Sequence, residues 1–206
     1  MSVKGAAACW LGAGVAYVSL EYAAAMGLPG YRYGRDFISD LGRPDSPLSY
    51  LMNTAFVVQG TLFCAGAVLV TRATGGRGQT RFVGFAAANA VGNVVVAAVP
   101  SGGASTAWVH VVGATVAIVG GNAAILTGSP AVSATGAYQV ASVGLGASGL
   151  LSFAALAVAT TTSTTVLLPG AVWERTSVYT IIGWQTLSAF VLLVEAARRR
   201  AVRRTR

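Results

Sequence analysis

The residues of this chain predict an all-α, polytopic membrane helical bundle: six transmembrane helices with both ends on the cytoplasmic side. Three observations carry that expectation. The chain is 54% hydrophobic and only 10% charged, with mean hydropathy +0.66, whereas soluble domains carry about 25% charged residues. Six apolar runs are each long enough for a hydrocarbon core about 30 Å thick, which takes about 20 residues at 1.5 Å each. The basic residues also gather in alternate connecting segments. The runs cover nearly all of residues 1–206, so a single transmembrane domain and no soluble one is expected.

The spans fall at about 6–28, 51–71, 82–99, 107–127, 138–159 and 178–197. Turn-forming residues punctuate them. Pro29 and Gly30 end the first, Arg72 with Gly75 and Gly76 the second, and Pro100 to Gly103 the third. Gly128, Ser129 and Pro130 end the fourth, and residues 160–170 follow the fifth. Within that stretch Thr160 to Thr165 is a low-complexity run expected as an outer loop. Ala23 to Ala25 resembles a signal-cleavage site, but the run is long and only Lys4 precedes it, so a retained helix is expected. Glycines such as Gly120, Gly121, Gly144, Gly146 and Gly149 allow close helix approach. No internal repeat is apparent.

Orientation follows from lysine and arginine in the short loops. With the N-terminus inside, the inner segments hold ten basic residues: Lys4, Arg72, Arg77, Arg81 and six arginines of the tail 198–206. The outer segments hold four, Arg32, Arg35, Arg43 and Arg175, matched there by four acids, Asp36, Asp40, Asp45 and Glu174. A basic tail directly after a membrane helix fixes topology and meets anionic lipid headgroups. The net charge of +8 therefore points to membrane lipids as partners, not to nucleic acid. The setting is a multi-pass protein of the cytoplasmic membrane.

Polar groups are costly in hydrocarbon and turn toward the bundle interior or a wet cavity. Glu21 is the one acid well inside a span, about 10 Å below the outer end. It shares a helix face with Trp10 and Tyr17 through spacings of seven and four. Asn53 opens the second run, Asn89 and Asn93 share a face of the third, and His110 sits in the first turn of the fourth. Glu174 and Arg175 lie just ahead of the sixth run, with Tyr179 and Trp184 along it. Most of these groups lie toward the outer half, which suggests a shared pocket there. Each also has a plainer reading. Glu21 and the asparagines could be interhelical hydrogen bonds, and His110 an interfacial residue. Trp10, Trp108 and Trp173 suit an aromatic belt, and Glu174 with Arg175 a rim pair. Cys9 and Cys64, without metal-ligand spacing, read as small hydrophobes.

The segment Tyr31 to Gly42 packs aromatic residues and both charge signs into a short loop. It could fold back over the bundle mouth with Arg35 and Asp40 turned inward, or stay solvated. Around Asp36-Phe37-Ile38-Ser39-Asp40-Leu41-Gly42 the chain resembles the domain of unknown function 998 family of small six-helix membrane proteins. Asn53 with Gly60, Pro100 followed by His110, and Glu174-Arg175 leading to Trp184 continue the resemblance in order. One departure is Ser101-Gly102-Gly103 after Pro100, where an acidic residue is expected. The resemblance implies a six-helix bundle with an outward polar site, and implies no activity.

One histidine and two scattered cysteines cannot build an ordinary zinc or haem site, so no metal or cofactor is expected. Nucleophile motifs and phosphate-cradling loops are absent from the sequence, as is an Asp-rich magnesium site for diphosphate ionisation. Proton-initiated cyclisation of a lipophilic isoprenoid substrate needs little: one buried carboxylic acid, a dry cavity and aromatic faces for a cation. Glu21, Asp40 and Glu174 are the candidate acids for this membrane-bound, terpene cyclase-like chemistry. Tyr17, Tyr22, Trp108, Trp173, Tyr179 and Trp184 are candidates to line the cavity, with Arg35, Asn53, Asn93, His110 and Arg175 as binding residues. The competing expectation is a lipid or small-solute carrier, or a non-catalytic subunit of a membrane complex.

Overall fold

The computed structural model describes residues 3–75, 79–103 and 105–204. Gly76, Arg77 and Arg206, together with the side chains of Arg200, Arg203 and Arg204, lie outside the described residues. Among the described residues, six helices are long and apolar enough to cross a membrane: α1 Val3–Gly27, α2 Ser49–Ala73, α3 Thr80–Ala98, α4 Ala107–Val132, α5 Gly136–Thr162 and α6 Gly170–Arg204. A short 3-10 helix, Ile38–Gly42, lies between α1 and α2, and the described residues contain no strand.

Each helix packs against its neighbours in sequence, and α6 returns against α1, so the bundle closes into a ring. A second line of contact runs from α4 to α6. α5 is the least covered helix and α4 and α6 the most, so α5 sits at the periphery. Glycines set the tightest approach: a Cβ on Gly92 of α3 would lie 2.6 Å from the Gly113 carbonyl oxygen of α4. Only a residue without a side chain permits that separation.

Three of the helix boundaries that differ from the sequence expectation have a local cause. α4 continues through Pro130 to Val132, because a proline two residues from the end removes only one late hydrogen bond. α5 continues through Thr160 to Thr162, whose hydroxyls bond carbonyls one turn back at Leu156, Ala157 and Val158. It stops at Ser163 in a left-handed conformation (φ 52°). α6 begins at Gly170, directly after Pro169, so Trp173, Glu174 and Arg175 are helical residues and not an approach to the helix. Their charges are received by the loop ahead of α2, which removes the cost of keeping them in the helix.

Two apolar clusters fill the bundle. One, toward the end that carries the chain termini, is centred on Trp184, with Trp10, Phe82 and Phe63 at 5.4, 6.0 and 6.1 Å between ring centroids. Trp10 and Trp184 are fully buried, their indole N–H groups satisfied by the Phe63 carbonyl at 3.2 Å and Ser142 Oγ at 2.9 Å. Trp10 is therefore a core residue and not part of an interfacial belt. The other cluster joins Tyr17, Met52, Phe56, Val96 and Ile182 to Ile38 and Leu41 of the 3-10 helix. That helix is thus seated on the bundle by apolar burial, and a polar site lies beneath it.

Candidate functional site

The loop after α1 is shaped by its own hydrogen bonds before it meets the bundle. The Asp36 carboxylate accepts the Arg32 backbone N–H at 2.7 Å and pairs with the Arg32 guanidinium at 3.4 Å. These bonds hold the Asp36 carboxyl below its ordinary range, and the Arg43 guanidinium does the same for Asp45. Asp40 accepts the Phe37 N–H at 2.9 Å and so starts the 3-10 helix. Tyr31 donates its hydroxyl to the Phe37 carbonyl at 3.1 Å and stacks edge-on against Tyr33 at 5.4 Å. Burial pushes the Tyr31 phenol well above its usual value, so it remains a hydroxyl donor.

Glu174 and Arg175 clamp this loop from α6. Glu174 accepts the backbone N–H groups of Ile38 at 2.5 Å and Ser39 at 3.4 Å, the position where a helix N-terminus favours an anion. Arg175 donates to the Asp36 carbonyl at 2.7 Å and to the Tyr31 hydroxyl. Its guanidinium carbon lies 5.5 Å from the Tyr31 ring centre and 5.0 Å from that of Tyr33. Adjacent residues of a helix point about 100° apart, so the two side chains face different surroundings.

On the Glu174 side is a cavity of about 50 Å³ among α1, α2, α3, α4, α6 and the 3-10 helix. Its polar wall comprises Tyr17, Ser39, Gln59, Asn89, Asn93, His110 and Glu174; Phe56, Val96, Ile118, Val178 and Ile181 supply much of the apolar wall. The Asn89 amide nitrogen donates to the Ala117 carbonyl at 2.8 Å, and that of Asn93 to the Asn89 carbonyl at 2.9 Å and Gln59 Oε1 at 3.1 Å. Gln59 in turn donates to Gln185 at 3.2 Å. His110 Nδ1 is 2.8 Å from the Val99 carbonyl. A carbonyl can only accept, so Nδ1 carries a proton. The Tyr17 hydroxyl and Asn89 Oδ1 are buried without a hydrogen-bond partner.

On the Arg175 side, Glu21 accepts the Tyr179 hydroxyl at 3.0 and 2.9 Å and lies 3.9 Å from Arg175 Nε. Both charges are buried, at 1% and 8% exposure. Glu21 is thus the counter-ion of Arg175 at the α1–α6 seam and is not part of the cavity wall.

The structure brings together Tyr17, Asn93, His110 and Glu174 of the sequence-predicted residues in one hollow, and Glu21, Arg175 and Tyr179 beside it. The others lie apart. Tyr22 and Trp108 are 60% and 69% exposed on the outer faces of α1 and α4. Trp173 turns to the α5–α6 connection, where its indole donates to the Val166 carbonyl at 2.7 Å. Trp184 lies in the distant aromatic cluster. Asn53 donates to the Gly42 carbonyl at 3.2 Å and secures the end of the loop. Arg35 is exposed and Asp40 is spent on Phe37 and Arg43, so neither turns inward. The inward-facing contact runs the other way, because Arg175 reaches outward from α6. Gln59, Gln185, Ser39, Tyr31 and Tyr33 were missed as members of these two groups. A glutamine inside each of two apolar runs was the available signal for the first pair.

No curated protein and no solved structure matches the chain. Residues 11–191 match the family described as protein of unknown function (DUF998). That match covers most of the chain and takes in the loop, the cavity and the Glu174–Arg175 clamp, and the chain belongs to this family.

Proposed function

We propose that this membrane protein is a carrier that holds a small polar solute, or the polar end of a lipid, in the cavity beneath the 3-10 helix. The observation that carries the reading is the pair of unpartnered buried groups, Tyr17 hydroxyl and Asn89 Oδ1, belonging to the residues that line a hollow among the helices. Each orphaned buried polar group costs about 1–3 kcal/mol, and a polar occupant recovers that cost. About 50 Å³ admits a few water molecules or one small polar group, since a single water needs roughly 10–15 Å³. In this reading the cavity faces outward from the cytoplasmic membrane and both termini lie inside. Reconstituted liposomes test it by solute or lipid flux, with and without a proton gradient. Flux equal to that of empty liposomes for every small polar solute and headgroup tried would sink it.

A second reading, an intramembrane enzyme that cyclises an isoprenoid by proton donation, is favoured by one observation. Glu174 borders a cavity with a largely apolar far wall and the Tyr17 and Phe56 rings. In that case Glu174, and not Glu21 or Asp40, is the general acid. The cavity must also widen several-fold, because an apolar hollow of about 150 Å³ holds no more than a benzene-sized molecule. Membranes containing the protein, incubated with linear isoprenoids, decide it: no cyclic product from wild type, or undiminished product from Glu174→Gln, removes this reading.

A further inference from the structure

We infer that the occupant of the cavity is a primary ammonium group, R–NH₃⁺ or ammonium itself. The inference rests on the carrier reading of the same cavity and names its ligand class. Several N–H groups of the wall are already engaged, while the Tyr17 hydroxyl has no partner. The amide nitrogens of Asn89, Asn93 and Gln59 donate to Ala117, to Asn89 and Gln59, and to Gln185, and His110 Nδ1 donates to Val99. Their carbonyl partners fix the orientation of Asn89, Asn93 and His110, because a carbonyl has no proton to give.

The lining also brings acceptors: Asn89 Oδ1, which has no partner, the Glu174 carboxylate, and the Tyr17 hydroxyl, which can donate as well as accept. Among the lining residues there is one acid and no lysine or arginine, the adjacent Arg175 being turned to the loop and Glu21. A wall with one acid, no base and free acceptors disfavours phosphate and carboxylate ligands and fits a compact cation with several N–H donors. Size narrows the choice further. An –NH₃⁺ group fits about 50 Å³, whereas a trimethylammonium group is bulkier and has no N–H to give.

The test uses the full chain purified in detergent and stripped of lipid, with thermal melting followed at constant ionic strength. Methylammonium and ammonium chlorides are expected to raise Tm saturably, and tetramethylammonium chloride and sodium phosphate to leave it unchanged. Tyr17→Phe keeps the ring and removes only the unpartnered hydroxyl. It is expected to raise the ligand-free Tm, since an orphaned buried hydroxyl is removed, while weakening the apparent Kd for methylammonium at least tenfold. Glu174→Gln is expected to abolish the shift, but it also touches the loop, so Tyr17→Phe is the deciding variant. Nanodiscs distinguish the sources of the group. If phosphatidylethanolamine in place of phosphatidylcholine competes with methylammonium, the ligand is a lipid headgroup; unchanged methylammonium binding in both assigns a free amine. No saturable shift with either small cation, an equal shift with tetramethylammonium, or wild-type binding by Tyr17→Phe overturns the inference. Stabilisation by a neutral polyol or an anion instead would overturn it while leaving the carrier reading intact.

Discussion

Two acids at this end of the bundle are set to different tasks by their neighbours. Glu21 faces a guanidinium and a phenol, whereas Glu174 faces two backbone amides and a hollow. Removing one member of a buried ion pair leaves the other uncompensated, at a cost of about 3–5 kcal/mol. Glu21→Gln is accordingly expected to lower stability by about that amount while leaving ligand binding in the cavity intact, as melts of the variant with and without ligand will show. A variant as stable as wild type would mean that Arg175 is held by Tyr31, Tyr33 and the Asp36 carbonyl alone. Asp36 gives a pH prediction. Its carboxyl lies below the ordinary 3.8 because Arg32 binds its ionised form. Its contribution is thus present above pH 3.8 and lost as pH falls through its lower folded value. Protection of the Arg32 amide against hydrogen exchange, taken relative to its intrinsic rate at each pH, should fall only below about pH 3.8 and should be lost at neutral pH in Asp36→Ala.

Among the helices, α3 and α4 depend most on the absence of a side chain, since Gly92 meets the backbone of Gly113 and Ala117. Gly92→Leu is expected to separate the two helices at a cost of at least about 1–3 kcal/mol, seen as a lower Tm in detergent. It should also weaken ligand binding, because Asn89, Asn93, His110 and Ala117 sit on those helices. The existence of six spans was readable in the sequence because length and apolarity suffice for it. Their ends were harder to read, as α6 shows. Glu174 and Arg175 look like a helix approach until the loop that neutralises them is in place, and no local pattern reports a partner more than 130 residues away. The same holds for the inner core: Trp10 and Trp184 have the composition of interfacial or cavity residues, and only the ring closure of α6 on α1 makes them a buried pair.

Across the whole molecule, an even number of spans places both chain ends on one face, and the arginine distribution predicts that this face is cytoplasmic. Single cysteines placed at Tyr33 and at Ala201 in a background without Cys9 and Cys64 test that. An impermeant maleimide should label Tyr33→Cys from outside intact cells and Ala201→Cys only after lysis, and the reverse pattern would invert the topology. That the outer-half polar residues share a hollow was legible in part. Asn93, His110 and Glu174 could be placed at one depth by counting residues, whereas which acid faced the hollow depended on the azimuth of α6. That azimuth has a mechanical consequence. Because neighbouring residues of opposite sign grip the same four-residue stretch, Asp36 to Ser39, from two sides, the loop cannot lift without baring both charges. Loop and helix must therefore travel as one rigid flap. On the proposed carrier reading, entry to the hollow from above requires a hinge motion of the α6 end, and a disulfide tying that end to a neighbouring helix should stop flux while sparing a molecule already trapped inside.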